Sequence, residues 1–212
     1  MTFQFKIQLK DISKPPVWRK VVVSSETTFS MFHSIIQVAM GWYDSHLYSF
    51  SPTGYRSTSW IEEDGDDQDL SALGCEDRET ISAENIKLSD IFNKKGQTFT
   101  YIYDFGDDWI HKITLEEINK TDTSTKPKLI GGKGACPPED CGGPWGYQNL
   151  KEALADKNHP DYQDIKEWLF GYDEYDEDED EEDEMFEDDE PLWDPHVYNF
   201  EEEKEMFDEI FE

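Results

Sequence analysis

Arginine and cysteine are scarce in this 212-residue chain, and each scarcity restricts what the protein can do. Its three arginines are Arg19, Arg56 and Arg78, scattered along the sequence. Serine and tyrosine recombinases rely on several arginines, because phosphoryl transfer on DNA needs positive charge in the transition state. Three cysteines, an odd number, do not suggest a disulfide scaffold and indicate a reducing compartment, the cytoplasm.

Long apolar runs and the common catalytic motifs are absent as well. No stretch of ~18 apolar residues is available to span a membrane. The opening FQFKIQLK alternates as a strand does, unlike a signal peptide. Neither a GxxxxGK[ST] phosphate loop nor a GxSxG nucleophile elbow occurs. The sequence therefore contains no complete catalytic constellation.

Negative charge is the property that the chain has in excess. It contains 50 acidic and 19 basic residues, a net charge of −31. The run 173–190 holds 15 of the acidic residues, and the remaining 35 acidic and 19 basic residues still give −16. Such a surface repels phosphate backbones and anionic lipids. We therefore expect neither nucleic acid nor a membrane as a partner.

Apolar periodicity predicts an α+β fold. Strand-like and helix-like segments are mixed without strict alternation, which favours a mostly antiparallel sheet with helices on one face, followed by C-terminal helices. The predicted strands are 3–10, 17–23, 46–51, the hairpin 98–116 and an edge strand at 126–130, and the predicted helices are 28–40, 86–92, 150–155, 161–170 and 200–211.

Composition divides the chain into three parts. Residues 1–170 are expected to form one α+β domain, which carries an acidic surface loop at 62–79. Residues 171–192 are an acidic low-complexity insertion, which should be solvated because its charges repel one another. Residues 193–212 are expected to form a C-terminal segment and helix that pack back on the domain.

The segment TFTYIYDFGDDWIHKITLE, residues 98–116, carries the strongest local signal. Aromatic and β-branched residues flank a central Gly-Asp pair, which is typical of a β-hairpin. A two-residue turn at this pair would place Ile102 opposite His111. Because side chains alternate along a strand, Asp104, Trp109 and His111 would then share a face. The sequence therefore predicts that the carboxylate of Asp104 lies beside the imidazole of His111.

Three segments together resemble one known family. They are YIYDFGDDWIHKITLE (101–116), the Gly- and Pro-rich stretch GGKGACPPEDCGGPWGY (131–147) and the WDP motif (193–195). They are similar to the Ri-plasmid ORF-3-like family of plasmids, insertion elements and bacterial and archaeal chromosomes. The resemblance implies an α+β domain with a ubiquitin-like core, and some members carry a transposon "resolvase" label. Trp193 stands where that family's pattern has Phe.

Candidate metal ligands lie in the hairpin and in the Gly- and Pro-rich stretch. Cys136 and Cys141 have a spacing that zinc knuckles use, and His111 or His46 could complete such a site. Carboxylates with an imidazole suit zinc, manganese or iron. No second Cys pair exists, and aspartates favour turns for their own hydrogen bonds. We predict no cofactor, with zinc at His111, Cys136, Cys141 and Asp104 as the alternative.

The sequence thus favours a binding or interaction module without catalysis of its own, which recognises a protein partner or a small ligand. One alternative is a metal-dependent hydrolase with a site at the 104–111 hairpin and the 136–141 loop, where Glu139 and Asp140 could join Asp104 in acid–base work. Another, disfavoured by the charge, is a DNA-interacting protein of a mobile element. The expected functional surface consists of Asp104, Asp107, Asp108, Trp109, His111, Glu139, Asp140, Trp145 and Tyr147.

Overall fold

The structure, a computed structural model, describes residues 1–63, 79–170 and 194–212. The predicted acidic loop 62–79 lies outside these residues apart from its two ends. The predicted insertion 171–192 and Trp193 also lie outside them. The division into domains therefore stays a prediction.

An eight-stranded sheet organises the described residues, in the order β5-β4-β3-β6-β7-β1-β2-β8. Every pair of neighbouring strands is antiparallel except β4 and β5. The predicted α+β fold with a mostly antiparallel sheet is thus confirmed. The strands are β1 (Thr2–Leu9), β2 (Trp18–Ser24), β3 (Tyr48–Ser51), β4 (Ser59–Glu62), β5 (Glu79–Ser82), β6 (Thr98–Tyr103), β7 (Trp109–Asn119) and β8 (Lys128–Lys133).

Five α-helices accompany the sheet in the described ranges. The first begins after Thr28, whose hydroxyl accepts a hydrogen bond from the amide of Met31, and ends at Gly41. None of the described helices has the length and apolarity needed to cross a membrane. The helices are α1 (Phe29–Met40), α2 (Leu88–Ile91), α3 (Gly143–Ala155), α4 (Tyr162–Phe170) and α5 (Phe200–Ile210).

Aromatic rings fill the core between α1 and the sheet. The ring of Phe5 on β1 lies 5.0 Å from that of Phe32 on α1, and Phe29 lies 5.0 Å from Phe50 on β3. All four side chains are fully buried. Edge-to-face and tilted contacts of this kind add to the stabilisation from apolar burial. Much of the high aromatic content of the sequence therefore serves to pack the core.

Arg19 on β2 is a buried cation at the meeting point of four segments. Its Nε donates to the carbonyl of Ala39 at the end of α1, at 2.8 Å. Its Nη1 donates to the carbonyls of Lys133 and Gly134, at 3.2 and 3.0 Å. The guanidinium also lies 3.9 Å from the ring centroid of Tyr198, just before α5. One side chain thus joins β2, α1, β8 and the C-terminal segment.

The structure differs from the predicted elements at two places. Strands β4 and β5 flank the acidic loop, where the sequence pattern predicts no strand; each has four residues, too few to show a period. The composition of the stretch 131–147 predicts no regular structure there. Instead, β8 runs through Gly131 because β2 supplies its hydrogen-bonding partners, and α3 begins at Gly143 with Pro144 in its first turn, where no amide hydrogen is needed.

The C-terminal helix α5 packs against β8 and α1. Phe207 is fully buried and joins the main core, with its ring 4.8 Å from that of Phe211. Met206 and Ile210, which belong to the same predicted apolar face, remain 54% and 62% exposed. Phe207 is therefore the side chain that seats α5 in the core.

Phe207→Ala should lower the free energy of unfolding by about 3–5 kcal/mol, because it removes a buried ring and leaves a cavity. The neighbouring Met206→Ala serves as a control and should change it by no more than about 0.5 kcal/mol, because Met206 is mostly exposed. Urea denaturation of both variants measures the difference. Equal losses would contradict this packing of α5.

Candidate functional site

The hairpin of β6 and β7 has a register that differs by one residue from the predicted one. Tyr101 pairs with His111, and Tyr103 pairs with Trp109. The predicted pairing of Ile102 with His111 is therefore wrong. The connection is the longer loop 104–108, in which Asp104 and Asp108 adopt left-handed φ angles of 55° and 57°. Asp and Asn tolerate this conformation better than most residues, so this loop replaces the expected two-residue turn.

A one-residue change of register moves every side chain of a strand to the other face. His111 and Trp109 consequently point into the core together with Tyr101 and Tyr103, and the predicted face shared by Asp104 and His111 is wrong. His111 is fully buried, and its Nδ1 lies 2.9 Å from the carbonyl oxygen of Trp109. Burial lowers the pKa of His111 to about 3, so this imidazole is neutral at physiological pH.

The two loop cysteines pack as partly buried side chains against the core. Burial raises the pKa of the Cys141 thiol to about 12, with a further contribution from Asp107, and it also raises the pKa of Cys136. Both thiols are therefore protonated at neutral pH. Neither thiol belongs to a group of three His, Cys, Asp or Glu side chains whose ligand atoms converge within 4.8 Å among the described residues.

The structure does bring the hairpin tip and the Gly- and Pro-rich stretch together. The amide of Gly142 donates to Oδ2 of Asp107 at 3.2 Å. Gly143 approaches so closely that a Cβ atom on it would lie 2.2 Å from the carbonyl oxygen of Asp107. We call this contact between residues 104–108 and 136–143 the junction. Two segments that are far apart in sequence form one surface there.

Three ligand-type side chains converge at the junction: His46, Asp104 and Asp140. Nε2 of His46 lies 3.0 Å from Oδ1 of Asp140 and 3.8 Å from Oδ2 of Asp104. Within the described ranges, this is the group of three His, Cys, Asp or Glu residues whose ligand atoms all lie within 4.8 Å of one another. Asp104 and Asp140 belong to the predicted surface, whereas the sequence suggests His46 only as a partner of the thiols.

Glu139 ties the junction to the chain that follows α1. One carboxylate oxygen accepts a hydrogen bond from the hydroxyl of Tyr103, and the other accepts from the amide of Tyr43 at 3.1 Å. The Tyr103 hydroxyl also accepts from the amide of Ser45 at 3.0 Å. Burial and the nearby carboxylate raise the pKa of Tyr103. Glu139 thus positions the loop beside His46.

A groove of about 1330 Å³ runs along one side of the junction. Asp107 and Asp108 line it together with the first turns of α3 and the loop that follows β1. Trp145 on α3 lies on this groove and is 88% exposed. Six members of the predicted surface do not line it. Trp109, His111 and Tyr147 are buried in the core, and Asp104, Glu139 and Asp140 lie elsewhere at the junction.

A second groove of about 940 Å³ lies beside Glu139 and Asp140. Met40 and Trp42, which line it, are buried, whereas four other large apolar side chains from three separate parts of the chain are exposed. They are Tyr43 after α1, Trp168 on α4, Val197 before α5 and Met206 on α5. The junction is therefore flanked by two open grooves: the first has the exposed Trp145 among charged side chains, and the second has the four exposed apolar side chains.

The fold and the junction together define a class: an α+β protein with one mostly antiparallel sheet, in which a hairpin tip docks on a Gly- and Pro-rich loop. The family model described as plasmid pRiA4b ORF-3-like protein matches residues 1–184. The chain belongs to this family, and the resemblance of its three motifs is confirmed.

Two relatives support this membership. The chain is 38% identical over 173 residues to "Uncharacterized protein y4hQ" of Sinorhizobium fredii (strain NBRC 101917 / NGR234), which covers 82% of each sequence. The crystal structure of "Protein of Unknown Function MM3350" from Methanosarcina mazei Go1 superimposes with a TM-score of 0.70 at 30% identity, over 95% of this chain and 96% of that one. The fold is thus shared across nearly the whole length of both chains.

Gly143→Ala should disrupt the junction. Its φ of 66° alone costs an alanine about 1–2 kcal/mol, and the clash with Asp107 adds about 1–3 kcal/mol. Gly96→Ala is the matched control, because Gly96 has a φ of 84° but a Cβ atom there would meet nothing within 4 Å among the described residues beyond its chain neighbours. Gly96→Ala should show only the cost of the positive φ, about 1–2 kcal/mol. Chemical denaturation measures both, and equal losses would mean that the close approach to Asp107 contributes nothing.

Proposed function

We propose that this protein is an interaction module without catalytic activity of its own, and that it recognises a protein partner through the junction and the first groove. The observation that carries the proposal is the exposure of Trp145. Its side chain is 88% exposed on a helix whose start is held against the hairpin tip by Gly142 and Gly143.

An exposed tryptophan on a fixed support has the properties of a binding anchor. Tryptophan is highly buried on average in folded proteins, so nearly full exposure leaves a large apolar area in water. Tryptophan is also enriched among the residues that dominate the energy of protein interfaces. Trp145 follows Pro144 in the first turns of α3, so its backbone is already ordered before any partner binds. Less entropy is then lost on association.

The charges around the groove define the partner further. Asp107 and Asp108 line it at the hairpin tip, and Asp194 lines it at the start of the C-terminal segment. The carboxylates Asp11 and Glu152 also line the groove, and three lysines, Lys14, Lys151 and Lys157, stand against these five acidic side chains. With a net charge of −16 outside the acidic run, the long-range field attracts cationic surfaces. A partner that offers an apolar pocket for Trp145 and a basic rim fits this surface.

A second candidate function is metal-dependent hydrolysis. The observation that favours it is the convergence of His46, Asp104 and Asp140 at the junction, since an imidazole with carboxylates suits a catalytic divalent metal. Activity in a screen of hydrolase and nuclease substrates, lost in a folded His46→Ala variant, would replace the first proposal with this one.

Photo-crosslinking tests the recognition surface. A benzoylphenylalanine at position 145 should yield one discrete adduct with a partner in cells of the native host, because the ring would lie inside the interface. The same residue at position 130 is the matched control: Ile130 is 41% exposed on β8 and does not line either groove. Crosslinking from position 130 should not yield the adduct that forms from position 145.

A variant without the two carboxylates of the hairpin tip completes this test. Replacing Asp107 and Asp108 with asparagine in the crosslinking protein should weaken the adduct at position 145, because the basic rim of the partner would lose its counter-charges. The same adduct pattern from positions 130 and 145, or no adduct at all from position 145, would contradict the proposal.

A further inference from the structure

We infer that His46, Asp104 and Asp140 form a binding site for a divalent transition-metal cation of the zinc type. The site goes beyond the recognition of a partner and does not rest on it. It differs from the zinc alternative expected from the sequence, because His46 and Asp140 stand in place of His111 and the two cysteines.

The spacing of the three ligand atoms fits such an ion. Zinc binds imidazole nitrogen and carboxylate oxygen at about 2.0–2.2 Å, so two tetrahedral ligands stand about 3.4 Å apart. Nε2 of His46 lies 3.0 Å from Asp140 Oδ1 and 3.8 Å from Asp104 Oδ2, on either side of that value. The ligand atoms of Asp104 and Asp140 lie within 4.8 Å of each other.

Asp104 directs one carboxylate oxygen toward His46. The residue is only 9% exposed, and its Oδ1 accepts a hydrogen bond from the amide of Gly106 at 2.8 Å. Its Oδ2 faces His46 beyond hydrogen-bonding distance and receives no hydrogen bond from the described residues. The carboxylate side chain is 13% exposed, and Oδ2 is directed at the imidazole, so a cation between them would be bound by both groups.

The surroundings hold the ligands in place before an ion binds. The amide of Asp104 donates to the carbonyl of Leu47 at 2.9 Å, which fixes the hairpin loop beside His46. The imidazole of His46 packs edge-on against the ring of Tyr103, with centroids 5.9 Å apart. Such supporting contacts typically affect metal affinity strongly. Three protein ligands also leave one coordination position for water or for a group from another molecule.

Zinc binding to the full chain, purified without chelator or affinity metal, tests the site. Equilibrium dialysis at about 0.15 M salt, where exposed charges are screened beyond ~8 Å, should give one site with higher affinity than the weak background of the acidic run. His46→Ala and Asp140→Asn should each weaken this site by about tenfold or more. The side chain of Asp140 is 67% exposed, so Asp140→Asn is expected to leave the fold intact.

The matched controls are His159→Ala and Asp161→Asn. These residues form another His–Asp pair, with Nδ1 and Oδ2 4.0 Å apart, at the start of α4. Both should bind zinc as the unchanged protein does. As a second readout, zinc should shift the ring-nitrogen NMR signal of His46 and should fail to do so in Asp140→Asn.

Two results would overturn the inference: an absence of any zinc site above the background, or equal affinities for the unchanged protein and Asp140→Asn. The dialysis contains the metal alone and no partner, so its failure would leave the recognition proposal standing. Failure of the crosslinking at position 145 would likewise leave the zinc result unaffected.

Discussion

The buried guanidinium of Arg19 is the interaction on which the rest of the molecule depends. Burying a charge is costly unless polar groups surround it, and here backbone carbonyls supply them. The carbonyl of Ala39 belongs to the C-terminal end of α1, where the helix dipole is negative. The ring of Tyr198 covers the cation from the side of the C-terminal segment. One side chain thereby ties the end of α1 and the C-terminal segment to the paired strands β2 and β8.

The buried Arg19 side chain also fixes the position of the candidate site. Lys133 and Gly134, whose carbonyls Arg19 holds, begin the Gly- and Pro-rich stretch. Trp42, just beyond α1, donates from Nε1 to the carbonyl of Pro137 at 2.9 Å and stacks on Tyr103. The stretch is thus tied at its beginning and in its middle before it meets Asp107. Prolines and these hydrogen bonds limit the conformational freedom of the stretch and keep its surface ordered.

The hairpin loop then decides which side chains face this surface. With the loop 104–108, the imidazole of His111 joins the core, and the carboxylate of Asp104 stays at the rim beside His46. A buried neutral imidazole among aromatic rings contributes packing and a hydrogen bond. The carboxylate of Asp104 is also largely buried, but it lies at the junction with Oδ2 facing Nε2 of His46. A difference of one residue in the hairpin register therefore places His111 in the core, and His46 is the histidine that lies beside Asp104.

Local patterns in the sequence were enough to predict the α+β fold, the mostly antiparallel sheet and a helix capped at Thr27 or Thr28, of which the structure uses Thr28, because periodicity and capping are properties of neighbouring residues. They also indicated that the hairpin and the Gly- and Pro-rich stretch were unusual. Only the tertiary structure decided that Asp104 lies beside His46 and Asp140, and that Trp145 is exposed while Tyr147 is buried. These facts depend on the length of one loop and on contacts between segments far apart in the chain. Such contacts leave no period in the sequence, since each is set by the packing of the whole molecule.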